Sequence, residues 1–140
     1  MKSIFSLLVF LAVYFPLTAS GEEPQCDGVV SILRLSNYVE GGSEAGLREA
    51  SRLHNEWYVA NGVTENSQAV IPILDYDRAA DSVTKNSVRV ATLHLNSTAS
   101  RAASKQQGND DWKKFISAYN ANTEVTETIF LCIPNNLLVD

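Results

Sequence analysis

The chain has 140 residues, 45% of them apolar and 19% charged, with only 7 Gly and 4 Pro, which excludes collagen-like, low-complexity and wholly disordered chains and leaves room for one globular domain. With 11 basic residues against 16 acidic ones the net charge is −5, and no basic block stands out. The clustered cations that a nucleic-acid backbone demands are missing.

Lys2 precedes an apolar run from Ile4 to Phe15, followed by Pro16 and the small residues Thr18, Ala19, Ser20 and Gly21. A positive start, a short apolar stretch and a small-residue exit are the parts of a secretory signal peptide. The run is shorter than the about 20 residues of a membrane span, so residues 1–20 are expected to be cleaved, after Ser20 or Gly21. Residues 21–140 then form one secreted domain, periplasmic in a bacterium, with no membrane attachment after cleavage. Cleavage removes Lys2 and no acidic residue, which takes the net charge from −5 to −6.

Val29 to Tyr38 is β-branched and aliphatic and stops at Gly41-Gly42, as a strand with a turn does. Ser43 offers an N-cap to a helix with Leu47, Ala50, Leu53, Trp57 and Ala60 in step, closed by Asn61-Gly62. Ala69 to Tyr76 reads as a strand that Pro72 demotes to an edge. Asp77 to Asn86 is polar and turn-like, and Ser87 to Leu95 is the clearest strand. Ala99 to Gln107 suits a short helix broken at Gly108-Asn109. Asn109 or Asp110 then caps a second helix with Trp112, Phe115, Ile116 and Tyr119 on one face. Val125 to Ile133 is the last strand, ended by Pro134-Asn135.

That β-α-β-β-α-β order is ferredoxin-like, an α+β sandwich with a four-stranded antiparallel sheet. Crossover handedness suggests the first and third strands at the centre, running parallel, with the fourth antiparallel beside the first. Cys26 lies just before the first strand and Cys132 near the end of the fourth. An even cysteine count in an exported domain points to one disulfide between them, with a pair of buried free thiols as the alternative. In the entropic account, closing so long a loop is worth at most ~4–5 kcal/mol.

The segments Gln68 to Tyr76, Val88 to Leu95 and Asp110 to Tyr119 resemble the dimeric α+β barrel superfamily, which includes antibiotic-biosynthesis monooxygenase-like domains, small polyketide cyclases and stress-responsive barrel proteins. The resemblance implies two protomers that pack their sheets into a barrel, with a pocket between each sheet and its helices. A homodimer is expected on a second ground. Leu33, Leu35, Val90 and Phe130 make both faces of the sheet apolar, so the face away from the helices calls for a cover.

The chemical inventory is thin. His54 and His94 are the only side chains that titrate near neutrality when unperturbed. His94 shares a strand face with Val88, Val90 and Thr92, which suits either a general acid or base in a pocket or a hydrogen-bonded core histidine. His54 borders the apolar stripe of the first helix, one turn before Tyr58, where a half-exposed position is the plainer reading and a ligand contact the sharper one. Trp57, Tyr58, Trp112 and Tyr119 suit either a core or the wall of an apolar pocket. Arg34 and Tyr38 alternate with Val30, Ile32 and Ser36 on one face of the first strand; an arginine there either sits at the rim or meets an anion. No HExxH, Cys/His cluster, phosphate-binding glycine loop or GxSxG is present, so neither a metal nor another cofactor is expected. Asn96-Ser97-Thr98 is a glycosylation sequon in a host that glycosylates.

Two function classes follow. One is a secreted protein that binds a small apolar or aromatic molecule through Arg34, Tyr38, His54, Tyr58 and Trp112, with His94 as catalytic residue if it also carries out cofactor-independent cyclase or monooxygenase-like chemistry. The other is a secreted interaction protein, an effector or surface factor, with no catalysis. Fold analogy does not separate them.

Overall fold

The structure, a computed structural model, describes residues 26–64, 67–97 and 108–137. The signal peptide expected at 1–20 and the short helix expected from Ala99 to Gln107 lie outside the described residues. Six elements follow one another: β1 (Gly28–Tyr38), α1 (Glu44–Ala60), β2 (Ser67–Asp77), β3 (Ser82–Leu95), α2 (Asp110–Asn120) and β4 (Thr123–Pro134), with a 3-10 turn at Asn135–Leu137. They make an α+β fold with one four-stranded sheet in the order β2-β3-β1-β4.

Every neighbouring pair is antiparallel. The expectation that β1 and β3 run parallel is therefore corrected. A helix crossover returns the chain in the same direction, so α1 relates β1 to β2 and α2 relates β3 to β4. The β2–β3 hairpin reverses direction between those two units, so β3 opposes β1.

That hairpin is longer than the polar stretch from Asp77 to Asn86 suggests. β3 already starts at Ser82, and Tyr76 pairs with Val83 and Asp77 with Ser82. The turn itself is Arg78–Asp81: Asp77 Oδ1 accepts from the backbone N–H of Ala79 (2.8 Å) and Ala80 (3.2 Å), and Asp81 takes a positive φ of 47°. Solvent on both sides of this arm removes the alternation that normally marks a strand. Nearer the sheet, the ladder is irregular between Pro72 and Leu74, and Val88 drops out of step with Val90 and is exposed. Pro72 sits on edge strand β2, where a residue without an N–H is tolerated.

Both helices begin as their caps dictate. Ser43 Oγ accepts from the N–H of Gly46 at the start of α1 (3.1 Å), and Asn109 Oδ1 accepts from the N–H of Trp112 at the start of α2 (2.8 Å). The α1 N-terminus is also tied to the α2–β4 corner, where Asn122 Oδ1 accepts from the Ser43 N–H (3.0 Å). The approach is so close that a Cβ on Gly46 would collide with that oxygen.

The core lies between the helices and one sheet face: Leu47 and Ala50 of α1, Phe115 and Tyr119 of α2, Val70 of β2 and Val90 of β3. Residues facing one another across the ladder share a face. The register therefore places Leu33, Leu35, Leu93, Ile71, Ile129 and Leu131 on the opposite face, away from both helices. Val90, by contrast, is core, and Phe130 on edge strand β4 is 71% exposed.

The cysteines are joined as expected. Cys26 and Cys132 form a disulfide across 106 residues with a Cα–Cα distance of 5.6 Å. The β1–β4 register brings them there, since Val30 lies opposite Cys132 and Gly28 opposite Pro134. Among the described residues, no helix is long and apolar enough to cross a membrane.

Candidate functional site

Three sheet positions form the floor of a cavity. Gln68 on β2, His94 on β3 and Ile32 on β1 lie side by side in register, and Arg34 lies one face-step further along, opposite Thr92. The helices roof this floor with aromatic rings. The cavity measures about 330 Å³ and is lined by Arg34, His54, Tyr58, Gln68, His94 and Trp112, with Phe115 and Tyr119 among its further walls.

His54 is the centre of the roof. Its neighbours on the buried stripe of α1 are Leu47, Ala50, Ser51, Trp57 and Tyr58. The stripe is thus turned from the one expected through Leu53 and Ala60, and His54 falls near its middle. The half-exposed reading of His54 is corrected accordingly: it is 3% exposed. Its ring stacks on Phe115 with centroids 3.9 Å apart and an interplanar angle of 3°, and it meets Tyr58 at 4.5 Å and His94 at 5.3 Å.

The orientation of His54 is set from outside the cavity. Its Nδ1 lies 3.1 Å from Gln68 Oε1, an acceptor, so Nδ1 carries the proton and Nε2 a lone pair. Gln68 is in turn clamped by Asn55 of α1, whose Oδ1 accepts from the Gln68 N–H (2.7 Å) and whose amide donates to the Gln68 carbonyl (3.1 Å). The Nε2 atoms of both His54 and His94 are buried, and neither has a hydrogen-bond partner among the described residues. A buried polar atom left unpaired costs on the order of 1–3 kcal/mol. Two such atoms bordering one cavity form a site that a ligand can complete.

Burial holds both imidazoles neutral. The pKa of His54 is pushed down to about 3, by burial first, against the raising effect of its Gln68 hydrogen bond, with the neighbouring His94 and Arg34 adding to the drop. That of His94 is pushed down to about 4, by burial and then by Arg34. A base this weak is a poor proton acceptor at neutral pH, where general-base work favours a pKa near the working pH. Hydrogen bonding is the task both rings are suited to.

Five of the expected site residues, Arg34, His54, Tyr58, His94 and Trp112, converge on this cavity. Tyr38 does not. It packs against the Leu47 core, and burial together with nearby Glu44 raises its pKa. Trp57 is core as well, its Nε1–H donating to Asn109 Oδ1 at 3.0 Å and so joining α1 to the cap of α2. Sequence reasoning passes over Gln68, although its period-two step with Val70 puts it on the inward face. Phe115 is recognised as apolar, but nothing in its spacing announces the stack on His54. Asn96 of the sequon is partly exposed in the turn after β3, with a positive φ of 51°.

A larger open groove of about 630 Å³ runs between α1 and β2 beside Arg48, Arg52, Asn55, Val59 and Ala69. Its arginines are already paired, Arg48 with Glu44 and Arg52 with Glu49 and Glu56. Its buried orphan among the described residues is the Ser51 hydroxyl, against two imidazole nitrogens walled by aromatic rings in the smaller cavity, which is the stronger candidate. Among the described residues no group of three or more His, Cys, Asp or Glu side chains is placed to hold a metal ion. Comparison with protein-family models yields no match to this chain, and comparison with curated proteins yields none either.

Proposed function

We propose that this is a secreted protein that binds a small aromatic molecule in the cavity between its sheet and its helices. The observation that carries the reading is the pair of buried, unpartnered Nε2 atoms of His54 and His94 at a cavity walled by Tyr58, Trp112 and Phe115. Its volume of about 330 Å³ lies at the lower end of the range of small-molecule sites, about 300–1,000 Å³, and suits a compound of one or two rings. A ligand that donates one hydrogen bond satisfies His54 Nε2. The weak basicity of both histidines favours binding over turnover, so His94 is assigned a ligand contact ahead of a catalytic step. Export is supported by the disulfide, which persists in oxidising compartments.

His94→Leu tests this directly. The substitution removes an unpaired polar atom and keeps an apolar body of similar size, so the thermal midpoint should stay within a few degrees of the native value or rise, while affinity for aromatic probes falls about tenfold or more. A midpoint drop worth about 1–3 kcal/mol with full binding retained would make His94 a core residue instead.

The proposal includes a homodimer of the α+β barrel kind, each sheet covering the other. It is supported by the apolar face of Leu33, Leu35, Leu93, Ile71, Ile129 and Leu131, on which neither helix lies. Light scattering across a dilution series should give twice the chain mass at micromolar concentration. A strict monomer there rejects the barrel.

The interaction-protein reading has one observation in its favour. Leu74, Tyr76 and Val83, each close to 60% exposed, crowd the tip of the β2–β3 arm. A partner that docks there would be lost on Tyr76→Ser and Val83→Ser, with the cavity untouched.

A further inference from the structure

The charge of the cavity is one-sided. Arg34 enters it from the middle of β1, where its cross-strand neighbours are Thr92 on β3 and Thr128 on β4, and none of the described lining residues is acidic. Elsewhere in the described residues the exposed cations Arg48, Arg52, Lys85, Lys113 and Lys114 each pair with a carboxylate, while Arg78 and Arg89 pair with none of the described carboxylates but lie exposed to solvent. Arg34, half-buried, pairs with none of the described carboxylates. It lies on the same face as His94 and two positions along the register from it, since Thr92 is its direct partner. Its charge reaches both imidazoles, and it contributes to keeping each of them neutral. A chain of net charge −5 thus keeps a half-buried cation with no described counter-charge in the wall of the aromatic cavity. A partly buried charge without a counter-charge is costly, and a bound anion removes that cost.

We propose that the ligand of this cavity is an aromatic carboxylate, its oxygens held by the Arg34 guanidinium and its ring placed among Tyr58, Trp112 and Phe115. The inference rests on the reading of the cavity as a small-molecule site and narrows it to a ligand class. The planar fork of an arginine matches a carboxylate with two parallel hydrogen bonds, which a lysine cannot do. The walls supply the remaining contact area, ring against ring.

Calorimetric titration of the disulfide-bonded mature chain with matched probes tests it, using benzoate and 2-naphthoate against benzamide and 2-naphthamide, with inorganic phosphate as an anion that carries no ring. The acids should bind roughly 10- to 100-fold more tightly than their amides, the scale of a charge-assisted hydrogen bond. Arg34→Gln should erase that preference, bringing each acid to the affinity of its amide on the same variant, and Arg34→Lys should keep part of it. Equal affinity of acid and amide for the native chain, or a preference that survives Arg34→Gln, overturns the anion inference and leaves the cavity reading standing. Phosphate binding as tightly as 2-naphthoate overturns the aromatic part. If no acid and no amide binds, the cavity reading falls and the inference with it. Should Arg34→Gln fail to fold, the native comparison and Arg34→Lys decide.

Discussion

Reduction of Cys26–Cys132, or replacement of both cysteines by alanine, should lower the thermal midpoint by on the order of ten to twenty degrees. The tie spans 106 residues, and a loop of that length gives up to about 4–5 kcal/mol in the chain-entropy account. A domain of this size shifts by several degrees per kcal/mol. Position adds to length here. β4 is an edge strand with β1 as its single sheet neighbour, and even its residues Val125 and Phe130, on the face that carries the helices, remain exposed. Little besides the β1 ladder and the disulfide holds it. Scanning calorimetry with and without reductant measures the shift, and mass measurement after alkylation checks the bond itself. Two thiols that alkylate freely without reductant would contradict the pairing.

The disulfide was legible because Cys26 lies just before the first strand and Cys132 near the end of the last, and antiparallel neighbours bring those positions together. The element order was legible for a similar reason: Ser43, Asn61-Gly62, Asn109 and Pro134 punctuate the chain at positions where the structure starts or stops an element. Strand direction was harder. It depends on which strands a crossover joins, and the order β2-β3-β1-β4 puts no crossover-linked pair side by side. The site was half legible. Arg34 and His94 followed from strand alternation alone. The place of His54 needed the exact rotation of α1, which a stripe of Leu47, Ala50, Leu53 and Trp57 leaves undetermined by a fraction of a turn. The Gln68 clamp by Asn55 is a contact between two elements, and no spacing within either one encodes it.

Stability should fall steeply as the pH drops from 6.5 to about 5. Above 6.5 both histidines are neutral in the folded and the unfolded chain, and they contribute no slope. Below it the unfolded chain takes up protons at ordinary imidazole pKa values, while the native rings refuse them until about 4 for His94 and about 3 for His54. The unfolded state therefore binds more protons across that window, and stability falls as pH falls until the native rings protonate too. Each unit of separation is worth about 1.4 kcal/mol per group, so the two together remove roughly 2–4 kcal/mol by pH 5. Glu44 acts lower on the scale. Lys85 and Arg48 hold its carboxyl below the usual range, and its contribution is lost only as the pH falls past that depressed value. Urea unfolding at pH 7.5, 6.5, 5.5 and 5 reads the slope. His94→Leu should remove about half of it. A native chain whose stability is flat from pH 7 to 5 would mean that the imidazoles are hydrated and the cavity wet.

The most direct measurement is a nitrogen-15 spectrum of the two imidazole side chains during titration with 2-naphthoate and 2-naphthamide. A ligand in the cavity between sheet and helices should shift the Nε2 resonances of His54 and His94 together and saturably, with the signature of an accepted hydrogen bond at His54 Nε2 confined to 2-naphthamide, whose N–H donates, while Nδ1, held by Gln68, stays in place. Binding that leaves both Nε2 signals unmoved and instead perturbs Arg48, Asn55 and Val59 in the outer groove, or no saturable shift at all, would contradict the assignment of this cavity as the site.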